Sequence, residues 1–478
     1  MPPAQDEPRE PSRPRIAENP EDIAAREPFT VEADIEIPPP AVVRRTWLAH
    51  TFESFRTRDF TLFWSGALVS NTGTWMQNAA LVIVVYALSP KQASLYAGIV
   101  QFATGAPVFF LAIPAGAIAD RFDRRKLLIG VQIVLLGQAI ALGALYATGV
   151  FSPTRAVTSL AIICGLTLVA GTFSAFMMPA FQSLLPDLVE RKALMNAIAL
   201  NSAQFQSSRM LGPMVVSAMI LAGTGIAPVF YVNAVSFLFV IAALVAVRPQ
   251  QAFNPATMHP EQNGPGSSEG TLARLGAGIS YARDNRAIGM LIVSTALLTI
   301  FGFPYMTLLA AITDLNVGGS VAHVSRTVAI MLALNGFGAL LGALGVASLP
   351  SSTPRYRVIP YTLLIFAAFV IGFALMHAEW SMGVFSVLAG AALMATNSLV
   401  TTSIQAAAPG HLRGRVMALF VMSFVGIMPF SALIFGPLGQ AIGPARAVIG
   451  AGVVLLAWGL LLAARPGWLR PAQEVAAE

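Results

Sequence analysis

The chain has 478 residues, of which 56% are hydrophobic and only 11% charged, and its formal net charge is +6. Soluble domains carry roughly 25% charged residues, so a water-soluble fold is excluded. Ten of the 23 acidic residues lie in the first 36 positions, which leaves the rest strongly basic; those cations flank apolar stretches rather than forming one soluble stripe, so anionic lipid headgroups account for them and nucleic acid does not.

In chain order, residues 1–45 are rich in Pro and Glu with little to bury, which predicts a disordered cytoplasmic tail. The opening MPPAQDEPREPSRPRIAENP has no apolar signal core and is read as mature sequence. Apolar stretches then alternate with short polar ones, each long enough to cross a hydrocarbon core of about 30 Å as a helix, the form that satisfies its own backbone in lipid. Twelve spans are expected, at 60–87, 94–119, 127–149, 157–181, 195–223, 228–247, 287–313, 327–349, 358–377, 382–406, 416–440 and 447–464.

With the N-terminus inside, twenty Lys and Arg of the loops and flanks fall on the cytoplasmic side and four, Lys91, Arg155, Arg326 and Arg446, on the other. That is a strong positive-inside bias. The fifth span begins with the polar NAIALNSAQFQSSR, yet omitting it would move Arg248, Arg274, Arg283 and Arg286 across the membrane and erase the bias. Its polar half is therefore read as facing protein or water.

Residues 248–286 form a cytoplasmic linker, flexible through NPATMHPEQNGPGSSEG and then carrying Leu272, Leu275, Ile279, Arg274 and Arg283 at near-helical spacing, which suits a short interfacial helix. The linker separates 56–247 from 287–465, with 466–478 a second cytoplasmic tail. The predicted fold class is an all-α membrane protein with twelve transmembrane helices in two six-helix halves. A weak repeat agrees: Arg191 precedes Gly212-Pro213 by 21 residues, and Arg415 precedes Gly436-Pro437 by the same 21. Gly and Pro at these places permit close helix packing or a kink.

The single cysteine, Cys164, lies inside a span and excludes an intramolecular disulfide. The five histidines lack ligand spacing, and no nucleophile elbow or phosphate loop occurs, so no metal, no cofactor and no enzyme active site are expected. Asp59, Asp120, Asp187 and Asp314 sit outside the spans or at their edges. Arg209 is the only charged residue placed within a span, where burial near the midplane costs about 2.5–3.5 kcal/mol on an insertion scale. Two readings stand: it reaches toward the cytoplasmic end or backbone carbonyls, or it lines a central cavity and attracts an anionic or strongly polar group.

The loop after the second span reads Gly116-Ala117-Ile118-Ala119-Asp120-Arg121-Phe122-Asp123-Arg124-Arg125-Lys126 and resembles the signature of the major facilitator superfamily between helices two and three, departing at Asp123, where the pattern usually has Gly. GTWMQNAALVIVVYALS, PAFQSLLPDLV, SSRMLGP, FGFPY and LRGRVMALF resemble its branch of enterobactin exporters and macrolide efflux proteins, over about residues 56–465.

The resemblance implies a gate in which Asp120, amid Arg121, Arg124, Arg125 and Lys126, meets the N-terminal end of helix eleven at Arg413, Gly414 and Arg415. Such a contact is worth about 0.3–1 kcal/mol at an exposed helix end. The other reading is that the basic cluster only anchors topology. The matching loop of the second half keeps just Arg355 and Arg357, so the halves are not expected to gate alike. Helix one lines the cavity in family members, which makes Asn71, Thr74, Trp75 and Asn78 candidate cavity residues beside Arg209; interhelical hydrogen bonding is the alternative, and the favoured reading for Asn201, Gln204 and Ser208 in span five.

The family's activity would be export of a small amphipathic compound, a siderophore, macrolide or other drug-like molecule. It implies a monomer in the lipid of the bacterial inner membrane, termini cytoplasmic, with protons as the coupling ion. Uptake by symport, lipid movement and a nontransporting scaffold stay open.

Overall fold

The computed structural model describes residues 53–119, 122–190, 193–247, 271–350, 353–409 and 412–470. The expected tail at 1–45 and the Pro- and Gly-rich part of the linker lie outside them. Every long regular element within them is helical. The first six are α1 (Arg58–Leu88), α2 (Ala93–Ala119), α3 (Arg124–Ala147), α4 (Ala156–Leu184), α5 (Leu194–Leu221) and α6 (Ala227–Ala246). The linker helix Thr271–Asp284 follows. Then come α7 (Arg286–Gly302), continued by short helices Pro304–Thr307 and Leu309–Asn316, α8 (Val321–Ala347), α9 (Arg355–Leu375), α10 (Glu379–Ala407), α11, and α12 (Pro444–Ala464). Helix α11 starts as Arg413–Val421, passes through a π turn at Met422–Gly426 and resumes as Met428–Ile442.

Ten of these stretches are long and apolar enough to cross a membrane. The two remaining, α1 and α5, are long enough at 31 and 28 residues but too polar on average. They solve that problem together. Trp64 Nε1 donates to the Leu200 carbonyl at 3.0 Å, Asn71 Nδ2 to Gln204 Oε1 at 3.3 Å, and Ser208 Oγ to the Leu68 carbonyl at 3.2 Å. Polar groups that would be costly in lipid thus satisfy each other across the α1–α5 seam.

Within the first half α1 also packs on α6, and a buried chain of amides joins it to α3: Asn233 Nδ2 donates to Gln77 Oε1 at 3.0 Å, and Gln77 Nε2 to Gln138 Oε1 at 3.1 Å. Between the halves, α5 packs on α8 and α2 on α11. Gly98 and Gly436 let α2 and α11 nearly touch, since a Cβ built on Gly436 would lie 2.8 Å from the Gly98 Cα. Deeper along that seam Phe102 and Phe109 meet Phe430 edge-on, with ring centres 5.7 and 5.0 Å apart.

Helix α7 breaks where FGFPY stands in the sequence. Pro304 has no amide proton to continue the ladder, and the Ile300 carbonyl near the break accepts instead from Ser431 Oγ of α11 at 2.6 Å. Three further contacts fix the ends of the bundle and the linker helix. The folded part begins before residue 56, because Ser54 Oγ bonds Asn196 at 2.8 Å. The segment expected as a tail from 466 starts folded: the Trp468 ring sits 4.6 Å from the Arg286 guanidinium and 4.8 Å from that of Arg465, and Leu469 is only 1% exposed. Finally, the linker helix docks on the start of α11 through Gly278, against the Arg415 backbone, with Ala282 buried and Ile279 exposed.

Candidate substrate cavity and gating contacts

The signature loop divides sharply between described and undescribed residues. Asp120 and Arg121 lie outside the described residues, so the expected meeting of Asp120 with helix eleven does too. Gly116 is carried by α2 and Arg413 opens α11. Asp123, the departure from the family pattern, caps α3: its side chain accepts the Lys126 amide at 2.9 Å, supplying a partner for one of the first-turn amides of the helix. Arg124 pairs with Asp187 at 3.3 Å, both largely buried. Burial pushes the Asp187 carboxyl above the usual carboxylate range, and the Arg124 charge and hydrogen bond pull it partly back.

Arg125 donates to the Val245 carbonyl at the end of α6. Lys126 is exposed, over a groove of about 560 Å³ lined by Ile118, Phe122, Leu127 and Phe176. Gly414 is exposed and Arg415 half-buried beside the linker helix. The structure thus ties Arg124 and Arg125 to partners inside the first half and Arg415 to the linker helix.

The candidate cavity residues converge around α1 and α5. Asn71 bonds Gln204, and Thr74 Oγ1 donates to the Ser70 carbonyl one turn back at 3.1 Å, while Asn78 is half-buried. Arg209 holds its guanidinium carbon 5.9 Å from the centre of the Trp75 ring, and Trp75 stands edge-on to Phe205 at 6.0 Å. The next residue, Met210, lies against Gly336 of α8, beside the Asn335 that bonds Tyr305. No acidic side chain and no hydrogen-bond acceptor engages Arg209 among the described residues.

Gly212 sets the distance between these helices, since a Cβ there would lie 2.5 Å from the Trp75 Cβ and 2.8 Å from the Met76 nitrogen. Pro213 and Pro437 lie inside continuous helices. The two Gly-Pro pairs of the repeat do different work: Gly212 packs α5 on α1 within a half, and Gly436 packs α11 on α2 between halves.

Sequence reasoning missed three constellations. The Gln77–Gln138–Asn233 chain consists of single amides in three apolar spans, with no spacing to link them. Asn335 Nδ2 of α8 donates to the Tyr305 hydroxyl at 2.6 Å. Tyr86 donates to Asp314 Oδ1 at 2.8 Å, and Gln440 Nε2 to the Lys91 carbonyl at 2.8 Å. The last two join the first half to the second at the end of the bundle that carries Lys91 and Arg446. The advance signals in the sequence are Tyr305, at the end of FGFPY, and Asp314, at the edge of a span.

The sequence profile of the transmembrane secretion effectors matches residues 49–474. The chain belongs to that family. Members are major facilitator transporters, so this chain is a membrane transport protein and not an enzyme. It is 27% identical to an enterobactin exporter of Shigella boydii over 75% of this chain and 80% of that protein, and 26% identical to the multidrug efflux pump Tap of Mycobacterium tuberculosis over 73% and 79%. With a staphyloferrin A transporter of Staphylococcus aureus it shares 25% identity over 53% of this chain, a match that spans only 58% of that relative. A nucleoside transporter crystal structure superposes with a TM-score of 0.64 at 12% identity, over 86% of this chain and all of that one, which establishes the major facilitator fold for this secretion effector.

Proposed function

We propose that this chain exports a small amphipathic compound, a siderophore, macrolide or other drug-like molecule, by alternating access with proton antiport. In this reading it acts as a monomer in the bacterial inner membrane with both termini cytoplasmic. The observation that carries it is the pair of bonds between the halves, Tyr86 to Asp314 and Gln440 to the Lys91 carbonyl, both at one end of the bundle. Under the positive-inside rule that end faces outward. The conformation is then closed to the outside, with the cavity around Arg209 to be exposed to alternate sides as the halves rock about the α2–α11 and α5–α8 seams.

Relatives named as siderophore and drug exporters support the substrate class. Asp314, carried on the helix that continues α7, supplies a carboxylate at the outer seal. The Asp120 loop is the matching inner latch in this reading, and Asn71, Thr74, Trp75 and Asn78 line the path. The test is direct. Cells lacking the gene should retain more of the exported compound than cells with it restored, and flux in proteoliposomes should follow an imposed pH gradient. Equal retention sinks the export reading, and flux indifferent to the gradient sinks proton antiport.

A further inference from the structure

We infer that Arg209 and Trp75 form the binding site for an organic anion, a compound that sets a carboxylate or similar oxyanion beside an aromatic or lipophilic body. The inference rests on the transport reading above and names the substrate class for it.

A guanidinium between membrane helices is costly unless something answers its charge. The aromatic face of Trp75 at 5.9 Å is a weak answer, and no carboxylate of the described residues supplies a stronger one. The side chain is half-buried and without a hydrogen bond among the described residues; it faces Trp75 within its own half, and the adjacent Met210 packs against Gly336 of the other, beside the Asn335–Tyr305 pair. A ligand oxyanion would complete it, because the planar fork of Arg matches a carboxylate with two parallel hydrogen bonds.

Two neighbours extend the match. The Tyr305 hydroxyl accepts from Asn335 at 2.6 Å, and its own proton has no acceptor among the described residues, so it is left to donate to a second ligand oxygen. Trp75 and the edge-on Phe205, with ring centres 6.0 Å apart, offer an aromatic wall to the apolar part of the same molecule. Because Arg209 and Phe205 ride on α5 while Tyr305 and Asn335 belong to the other half, the site is assembled from both halves. Alternating access would carry it from one side of the membrane to the other.

The test uses purified full-length protein in phosphatidylcholine nanodiscs and compares equilibrium binding of 1-naphthoate with that of the isosteric neutral 1-naphthamide. The naphthoate should bind at least about tenfold more tightly, as a charge-assisted bidentate pair requires. Arg209→Gln should bring the two ligands within about twofold of each other, whereas Arg209→Lys, which keeps the charge and loses the fork, should keep part of the preference. Gel-filtration profiles matching the parent protein qualify each variant. Equal binding of the two ligands, no binding of the naphthoate up to millimolar concentration, or an undiminished preference in Arg209→Gln overturns the proposal. Phosphatidylglycerol in the nanodisc that suppresses naphthoate binding assigns the oxyanion to a lipid headgroup and overturns a small-molecule substrate. The readout involves no vectorial flux. Failure of the export reading would leave the anion preference standing, and failure of this inference would leave export of neutral compounds intact.

Discussion

Tyr86, in the last turns of α1, donates a 2.8 Å hydrogen bond to the Asp314 carboxylate on the helix that continues α7 past its break. This bond spans 228 residues of sequence and, with that from Gln440 to the Lys91 carbonyl, joins the two halves at the end assigned to the outside.

A hydrogen bond to a charged acceptor contributes about 1.5–3 kcal/mol, enough to shift an equilibrium between conformations by one to two orders of magnitude. Tyr86→Phe removes the donor and Asp314→Asn the charge. Each should raise the external labelling rate of a cysteine placed in the cavity by about tenfold or more, in a Cys164→Ser background that removes the one native thiol. The double variant should add little to either single one, since both break the same bond. Labelling that stays at the parent rate would remove this pair from the outer seal.

Gly436 and Gly212 face backbone that cannot swing aside. Gly436→Ala would place a methyl group 2.8 Å from the Gly98 Cα, and Gly212→Ala one 2.8 Å from the Met76 nitrogen. Overpacking of this kind costs about 1–3 kcal/mol, so both variants should melt earlier. Gly212→Ala, which presses on Trp75, should also lower flux. Gly130 has nothing within 4 Å and serves as the control, its alanine variant melting at or slightly above the parent temperature.

Gln77 both accepts from Asn233 and donates to Gln138 in the interior of the first half. Gln77→Leu leaves the Asn233 donor and the Gln138 acceptor without these partners, and the expected loss is about 0.6–1.7 kcal/mol, the range for such bonds in membrane proteins. Thermal unfolding in detergent reads it. A variant as stable as the parent would mean the amides find other partners.

The pH dependence of stability should carry a signature of Asp187. Burial raises its carboxyl above the unfolded value, with Arg124 partly opposing. The stability from this group is therefore fully present below the unfolded value, about 3.9, and is lost as pH rises through the higher folded value. Asp187→Asn should remove that decline from melting curves taken between about pH 4 and pH 7, and Arg124→Gln, which deletes the opposing charge, should deepen it. A slope identical in all three proteins would remove Asp187 as its source.

Much of the architecture was legible because it is written in one dimension. Span length, loop charge and the signature loop are local properties, and lipid demands helices wherever a long apolar run occurs. Charge asymmetry even recovered α5, whose hydropathy falls short. Arg209 stood out for the same reason, as a charge where lipid tolerates none. The partners of polar residues were not legible. Asn71 stands in the sequence as a candidate for either a cavity wall or an interhelical bond, and it bonds Gln204; Gln77, Gln138 and Asn233 carry no spacing that links them and form a buried polar chain; two identical Gly-Pro spacings make contacts of different kinds.

The sequence by itself determined that this chain crosses the membrane repeatedly, in which register, and with one unanswered positive charge inside it, since hydropathy and charge act on each segment independently. Only the tertiary structure decided that Tyr86 meets Asp314, that Arg209 turns to Trp75, and that α7 breaks where α11 supports it. Those outcomes depend on how each helix is rotated and where it crosses its neighbours, and packing of the whole bundle sets that geometry at once.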